Sequence, residues 1–422
     1  MQDLERLTAT AVLRLIQDGR VEPMEWMEAC LDRIARREDE RCAFVSFDED
    51  KAGRAASQAR PGPLAGMPIG VKDVLDTAGL PSQYGSPIWQ GWQPRADCAP
   101  VAAARAAGAV VVGKTVTTEF ATRTPGPTTN PANPAHTPGG SSSGTAAGVA
   151  DFFFPVGFGT QTAGSIIRPA AYCGVVGYKP SFGTINRAGM KLMSDSLDTV
   201  GVMARSVADC ALFTAAITGL DLGDPNAKPD RAPRIGICQG FAWDQASSET
   251  QVLLQNAATA MSRYGAAVAD HDLPASFAEL ETAHPIIMNH ESARAVGWEL
   301  SHHRNQISTA LLEKLDFGLT RTPLARVGAY ETFSRTQAGF AAAMGDFDIL
   351  VTPSAQAEAP RGLEWTGDPV FNYVWTSLHV PCVTVPVGTG PNGLPLGIQI
   401  VGRQGDDRRV LALARWVQAA LS

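Results

Sequence analysis

Residues 139–180 read GGSSSGTAAGVADFFFPVGFGTQTAGSIIRPAAYCGVVGYKP. Two Ser/Gly clusters flank a short apolar run, and a third glycine-containing turn follows. The small residues of 144–150 predict a helix, 156–159 a strand, 166–172 a short helix and 175–179 a second strand. Alternation of this kind predicts an α/β fold, with a central mixed β-sheet covered by helices on both faces. The same stretch carries Ser141 and Ser165, 24 residues apart, each on a glycine-rich turn.

The pattern continues outward from this stretch. Residues 3–20 and 23–38 have helical periodicity, with Pro23 suited to a helix start. Residues 64–74 read as a strand ending at Lys72, which stands 69 residues before Ser141. The Ala-rich 98–107 predicts a helix stopped by Gly108, and 109–112 a buried strand. Five prolines make 124–140 an extended loop. Beyond a polar linker at 220–233, RIGICQ reads as a strand and 247–264 as an amphipathic helix. Residues 276–345 are mainly helical. Strand signals return at 348–353, 380–388 and 396–402, closed by a helix at 407–421. The expected organisation is a single domain over 1–422. Its core spans about 60–210, a mainly helical insertion or cap spans about 220–345, and a C-terminal part at about 346–422 completes the sheet.

Composition narrows the function classes. The chain has 422 residues, 45% hydrophobic and 18% charged, which suits a soluble globular protein. A net charge of −7 argues against a nucleic-acid surface. No apolar run is long enough to span a membrane, and the acidic N-terminus lacks the pattern of a secretory signal. The seven cysteines are widely spaced with no C-x-x-C pair, which reads as reduced thiols in a cytoplasmic protein. No metal site and no cofactor are expected.

Two motifs mimic other chemistries. Residues 108–115, GAVVVGKT, fit the phosphate-binding pattern G-x-x-x-x-G-K-[ST]. A helix precedes Gly108, however, and a valine strand replaces the flexible nest, so a nucleotide site ranks far below a structural role. Residues 140–144, GSSSG, fit the nucleophile elbow G-x-S-x-G around Ser142. The preceding segment is a Pro-rich loop rather than a strand, and His379 is the only histidine placed to serve such a triad.

Two serines on glycine turns with a lysine inside an apolar strand can make a hydrolase that needs no histidine. A glycine-flanked serine alone is commonly a turn or a cap, and a lone lysine is usually on the surface. Joint order and spacing favour chemistry. GGSSSG (139–144), GTQTAGSIIRP (159–169) and CGVVGYKP (173–180) resemble the signature of the amidase signature family. GVKD (70–73), GKTVTTEFA (113–121), NPANPAHTPGG (130–140), LDTVGVMARSVAD (197–209) and LPLGIQIVG (394–402) agree with it in order. Within that family the chain is most similar to malonamidases, by its short length, Gln-Thr at 161–162 and Arg168 three residues past Ser165.

The resemblance implies the amidase-signature fold and a Ser-cisSer-Lys triad. Ser165 is the nucleophile, Ser141 the bridging serine after a cis Gly140–Ser141 peptide, and Lys72 the base. Lysine accepts a proton only when neutral, so its usual value of about 10.4 must fall to roughly 7–8, a change of roughly 4 kcal/mol that burial can impose. The N–H groups of Thr162, Ala163, Gly164 and Ser165 would form the oxyanion hole. Alanine stands at 163 where the family usually has glycine, which is costly only if that residue needs positive φ. Ser142 and Ser143 are expected to brace the turn, and Glu119, Asp195 and Asp198 to be structural polar groups.

Arg168 suits a bidentate clamp on a substrate carboxylate; the alternative is a buried acid as its partner. Gln161, Tyr373, Trp375 and His379 are the other expected substrate contacts. The expected reaction is hydrolysis of a small, carboxylate-bearing amide such as malonamate, by way of an acyl-enzyme. The same machinery acting on a carbamate, ureido acid or aryl amide is the alternative. An amidotransferase-type subunit that works only with partners ranks lower. A homodimer is the assembly the resemblance suggests.

Overall fold

The computed structural model describes residues 3–421. Eleven strands form one sheet: β1 (Phe44–Phe47), β2 (Pro68–Lys72), β3 (Val110–Thr115), β4 (Val156–Gln161), β5 (Val176–Lys179), β6 (Thr199–Ala204), β7 (Arg234–Ile237), β8 (Ala267–Asp270), β9 (Ile349–Pro353), β10 (Cys382–Thr389) and β11 (Pro395–Val401). Their spatial order is β1-β3-β2-β4-β6-β5-β10-β11-β9-β7-β8. The pairs β3/β2, β2/β4, β9/β7 and β7/β8 are parallel and the rest antiparallel, so the sheet is mixed.

Side-chain alternation along a strand feeds two cores. Val111 of β3 packs in one core with the helices Ala99–Ala106, Val207–Thr218 and Asp407–Ala420. Val110 and Val112 pack on the other face with Ser143–Ala150 and Ile167–Cys173. The strands and helices expected around the 139–180 stretch are all present, at Ser143–Ala150, Val156–Gln161, Ile167–Cys173 and Val176–Lys179. Four helices, Leu280–Ala295, the short Gly297–His302, Thr309–Leu319 and Pro323–Ala343, stand together after β8. Leu280, Ala283 and Ile287 of the first pack with Val374 and Trp375, which fixes this cap over one part of the sheet. Among the described residues, no helix is long and apolar enough to cross a membrane.

Candidate active site

Parallel pairing of β2 with both β3 and β4 buries Lys72 at the end of β2, with no exposed surface. Its Nζ lies 2.7 Å from Ser141 Oγ and 2.7 Å from Thr160 Oγ1, and donates a longer bond of 3.4 Å to the Thr160 carbonyl. Thr160 sits in β4, the neighbouring strand. Among the described residues, no carboxylate touches the ammonium. Burial pulls Lys72 down to about 7, and the more distant Asp198 opposes that fall. Asp198 is itself held by the Thr162 hydroxyl and by the Met193 and Ser194 N–H groups at 2.7 and 3.1 Å.

The Gly140–Ser141 peptide is cis. The turn around it is braced as expected: Ser143 Oγ donates to the Gly139 carbonyl at 2.7 Å, and Ser142 Oγ bonds the Thr160 backbone. Ser142 is therefore fully buried and engaged, and His379 lies elsewhere, so an elbow nucleophile at Ser142 has no base. Glu119 holds Ser308, and Asp195 pairs with Arg187 near the surface.

Residues 162–165 leave β4 as an open bend before the Ile167–Cys173 helix. Ser165 faces a cavity of about 420 Å³, together with Thr162 and Ala163. Its hydroxyl takes no protein hydrogen bond among the described residues, so it is free to meet a ligand. Ala163 is not among the residues with positive φ, and the alanine is accommodated without left-handed strain. Gly164 is required for a different reason: a Cβ there would come within 2.3 Å of Asn372 Oδ1. The Ala163, Gly164 and Ser165 N–H groups have no protein acceptor among the described residues.

Arg168 lines the same cavity and is buried. Nη2 donates to the Gly140 carbonyl at 2.8 Å and to Thr366 Oγ1 at 3.4 Å, whereas Nε and Nη1 are buried without a partner. No acid pairs with it among the described residues, so the buried-acid alternative is not what the structure contains. Tyr373 lines the cavity as expected.

Three expected contacts do not reach it. Gln161 is buried under the bend, its Oε1 accepting from the Ile166 and Ile167 N–H groups and its amide donating to Thr376. It shapes the loop rather than touching the cavity. Trp375 turns into the apolar core against Phe340, with ring centroids 6.1 Å apart. His379 stacks on Phe182 and bonds the Ser196 carbonyl at 2.7 Å. The helix Tyr373–Ser377 explains the second of these failures: Tyr373 faces the cavity while Trp375 is buried on the inner side.

The cap supplies residues that the sequence reading missed. His284 lines the cavity, and its Nε2–H donates to the Thr162 carbonyl at 3.0 Å. Its ring lies along Tyr373, and burial lowers it to about 4, so it is neutral. Glu281 and Lys314 come from the cap as well. Nothing local marks these positions, because an amphipathic helix shows only which face is apolar.

A family model described as amidase matches residues 25–411. The glutamyl-tRNA(Gln) amidotransferase "A" chain of Acidothermus cellulolyticus is 33% identical over 483 aligned positions, covering 100% of this chain and 95% of that one. The protein of the same name from Lachnospira eligens is 31% identical, with 94% of each chain covered. Among solved structures, an amidase superposes with a TM-score of 0.90 at 28% identity, covering 99% of this chain and 100% of that one. A peptide amidase from Stenotrophomonas maltophilia gives 0.85 at 28% identity, covering 99% and 97%. With the match running through the sheet, the serine turns and the cap alike, the chain belongs to the amidase family of enzymes that hydrolyse amide C–N bonds.

Proposed function

We propose that the chain hydrolyses a small amide bearing a carboxylate, of the malonamate type, through Ser165, Ser141 and Lys72. The observation that carries this reading is a pair of opposites among the described residues: a buried lysine with no acid partner behind the serines, and a buried arginine with two unpaired nitrogens beside them. Neutral Lys72 takes a proton from Ser141, which takes one from Ser165. Ser165 Oγ attacks the amide carbonyl, and the N–H groups of Ala163, Gly164 and Ser165 receive the developing oxyanion. The C–N bond breaks as the proton returns to the leaving amine. Water, deprotonated by the same lysine, then releases the acid from the ester. Arg168 would hold the substrate carboxylate by one of its two unpaired nitrogens, a charge-assisted bond to a donor that is otherwise buried and unmet.

The resemblance to malonamidases rests on the short length, Gln161-Thr162 and Arg168, and the two unpaired nitrogens of Arg168 support it. The test is kcat/KM for ammonia release from malonamate against a neutral amide of the same size. A strong preference for malonamate is expected. A preference for the neutral amide would return Arg168 to a structural role and direct attention to carbamates, ureido acids and aryl amides.

The relatives from A. cellulolyticus and L. eligens favour a second reading, in which the chain is one part of an amidotransferase and needs partners. Multiple turnover by the purified chain alone on a free small amide would set that reading aside.

A further inference from the structure

The cavity is larger than malonamate needs, and Arg168 is not its only cation without an acid partner among the described residues. Lys314, half-buried on the Thr309–Leu319 helix, and the exposed Arg123 line the same space. Neither has a hydrogen bond or an ion pair among the described residues. Lys314 lies near both arginines: burial first, then Arg123 and Arg168, lower its ammonium to about 8, and Asp368 opposes. Three acids face the cavity too. Glu281 is engaged by the Tyr373 hydroxyl at 3.4 Å. Glu313 is exposed, and Asp368 is the one acid felt by both Arg168 and Lys314. One shared carboxylate does not satisfy two separate cationic groups, one on the core helix and one on the cap. Partly buried cations without partners are costly unless a ligand completes them.

We infer that the cavity takes an amide with an anionic group on each side of the scissile bond, an N-acyl amino acid whose acyl half is a short dicarboxylic acid. This rests on the amidase reading above and names its substrate class. Arg168 holds the acyl-side carboxylate, and Lys314 with Arg123 holds the carboxylate of the leaving amino acid. Ser165 Oγ bonds the amide carbonyl carbon, the C–N bond breaks, and the amino acid leaves with the proton returned by Lys72 through Ser141. Water then cleaves the ester to give the dicarboxylate.

The test compares N-malonylglycine with N-propylmalonamate, which differ by the amine-side carboxylate, and adds malonamate. The expected result is a kcat/KM for N-malonylglycine at least about tenfold above that for N-propylmalonamate, the factor one charge-assisted contact supplies. Lys314→Met should bring that ratio near one. Calorimetry on Ser165→Ala should show the same ordering in binding. Equal turnover and equal binding of the two N-substituted amides, with malonamate still cleaved, overturns the second subsite and leaves the amidase reading standing. A ratio unchanged by Lys314→Met overturns the role of Lys314. No release from any of the three amides, with no binding to Ser165→Ala, removes the reading beneath as well.

Discussion

Lys72 and Lys114 stand on neighbouring parallel strands, equally inaccessible to water, and they do different things. The register pairs Lys114 with Val71 and Lys72 with Thr115, so the two side chains leave opposite faces of the sheet. On its face Lys114 meets Asp73 at 3.2 Å and donates to the Leu75 carbonyl and the Ser82 hydroxyl. Lys72 meets two hydroxyls and a carbonyl. Burial lowers both ammonium groups; at Lys114 a touching carboxylate opposes that fall, whereas at Lys72 only the more distant Asp198 does. Residue type and depth are the same, so the partner decides. A lysine with a carboxylate is an ion-pair brace, and a lysine with hydroxyls can serve as a base. The lysine of the phosphate-loop motif is the braced one. Its donors are already spent on the protein, and the helix Ala99–Ala106 and strand β3 replace the loop a nucleotide would need.

The largest effect should come from the Lys72 side. Ser165→Ala is expected to lower kcat by ~10⁴-fold or more, and Lys72→Met by a comparable factor, with the double variant no worse than either. Lys72 works only when neutral, so kcat/KM should rise with pH, reach half its limit near pH 7, and fall about tenfold per pH step below that. Substantial ammonia release by Ser165→Ala, or a flat profile between about pH 5.5 and 8, would separate these residues from the chemistry.

Stability should respond at the other lysine. Lys114→Met leaves Asp73 buried and unpaired, and breaking such a pair costs about 3–5 kcal/mol. The denaturation midpoint should fall accordingly, and Asp73→Asn combined with Lys114→Met should recover most of it. A single Lys114→Met variant as stable as the parent would contradict the brace.

How much of this could be read from the chain follows from the same distinction between local and tertiary causes. Strands β2 and β4 and the two helices of 139–180 declare themselves by runs of apolar residues between glycines; Lys72 ends β2, and Ser141 and Ser165 each stand two residues ahead of a helix. Strand β6 is not legible in the same way, because the polar stretch SDSLDT (194–199) runs directly into it. Gly201 also looks like a breaker, yet it is needed because a Cβ there would lie 2.3 Å from the Tyr178 carbonyl. Strand β8 is a mostly exposed edge with little apolar signal. At the site, Trp375 and Tyr373 are two residues apart and look equivalent in sequence, but a helical turn sends them to opposite sides. His284 and Lys314 could not be found at all, since only docking of the cap brings them to Ser165.

His284 probes that tertiary part with a smaller effect. His284→Phe keeps a ring against Tyr373 but removes the N–H held by the Thr162 carbonyl. The bend carrying the Ala163 and Ser165 N–H groups then loses its tie to the cap. A fall in kcat of about tenfold with little change in KM is expected, the size of one buried hydrogen bond. Full kcat in this variant would mean the bond does nothing for the bend.

The smallest change is also the sharpest check on the two lysines. Lys72→Met, which destroys activity, should leave stability within ~1 kcal/mol of the parent. Removing an ammonium from a dry site relieves its desolvation, and no carboxylate is stranded by the loss. Against this stand the Ser141 and Thr160 hydroxyls, which lose a donor, although each can turn its own hydrogen to another acceptor. The two terms oppose each other, whereas at Lys114 they add, because the buried Asp73 cannot turn away. If Lys72→Met instead unfolds as readily as Lys114→Met, then Lys72 is a brace like its neighbour, and the missing carboxylate would no longer distinguish the base from the strut.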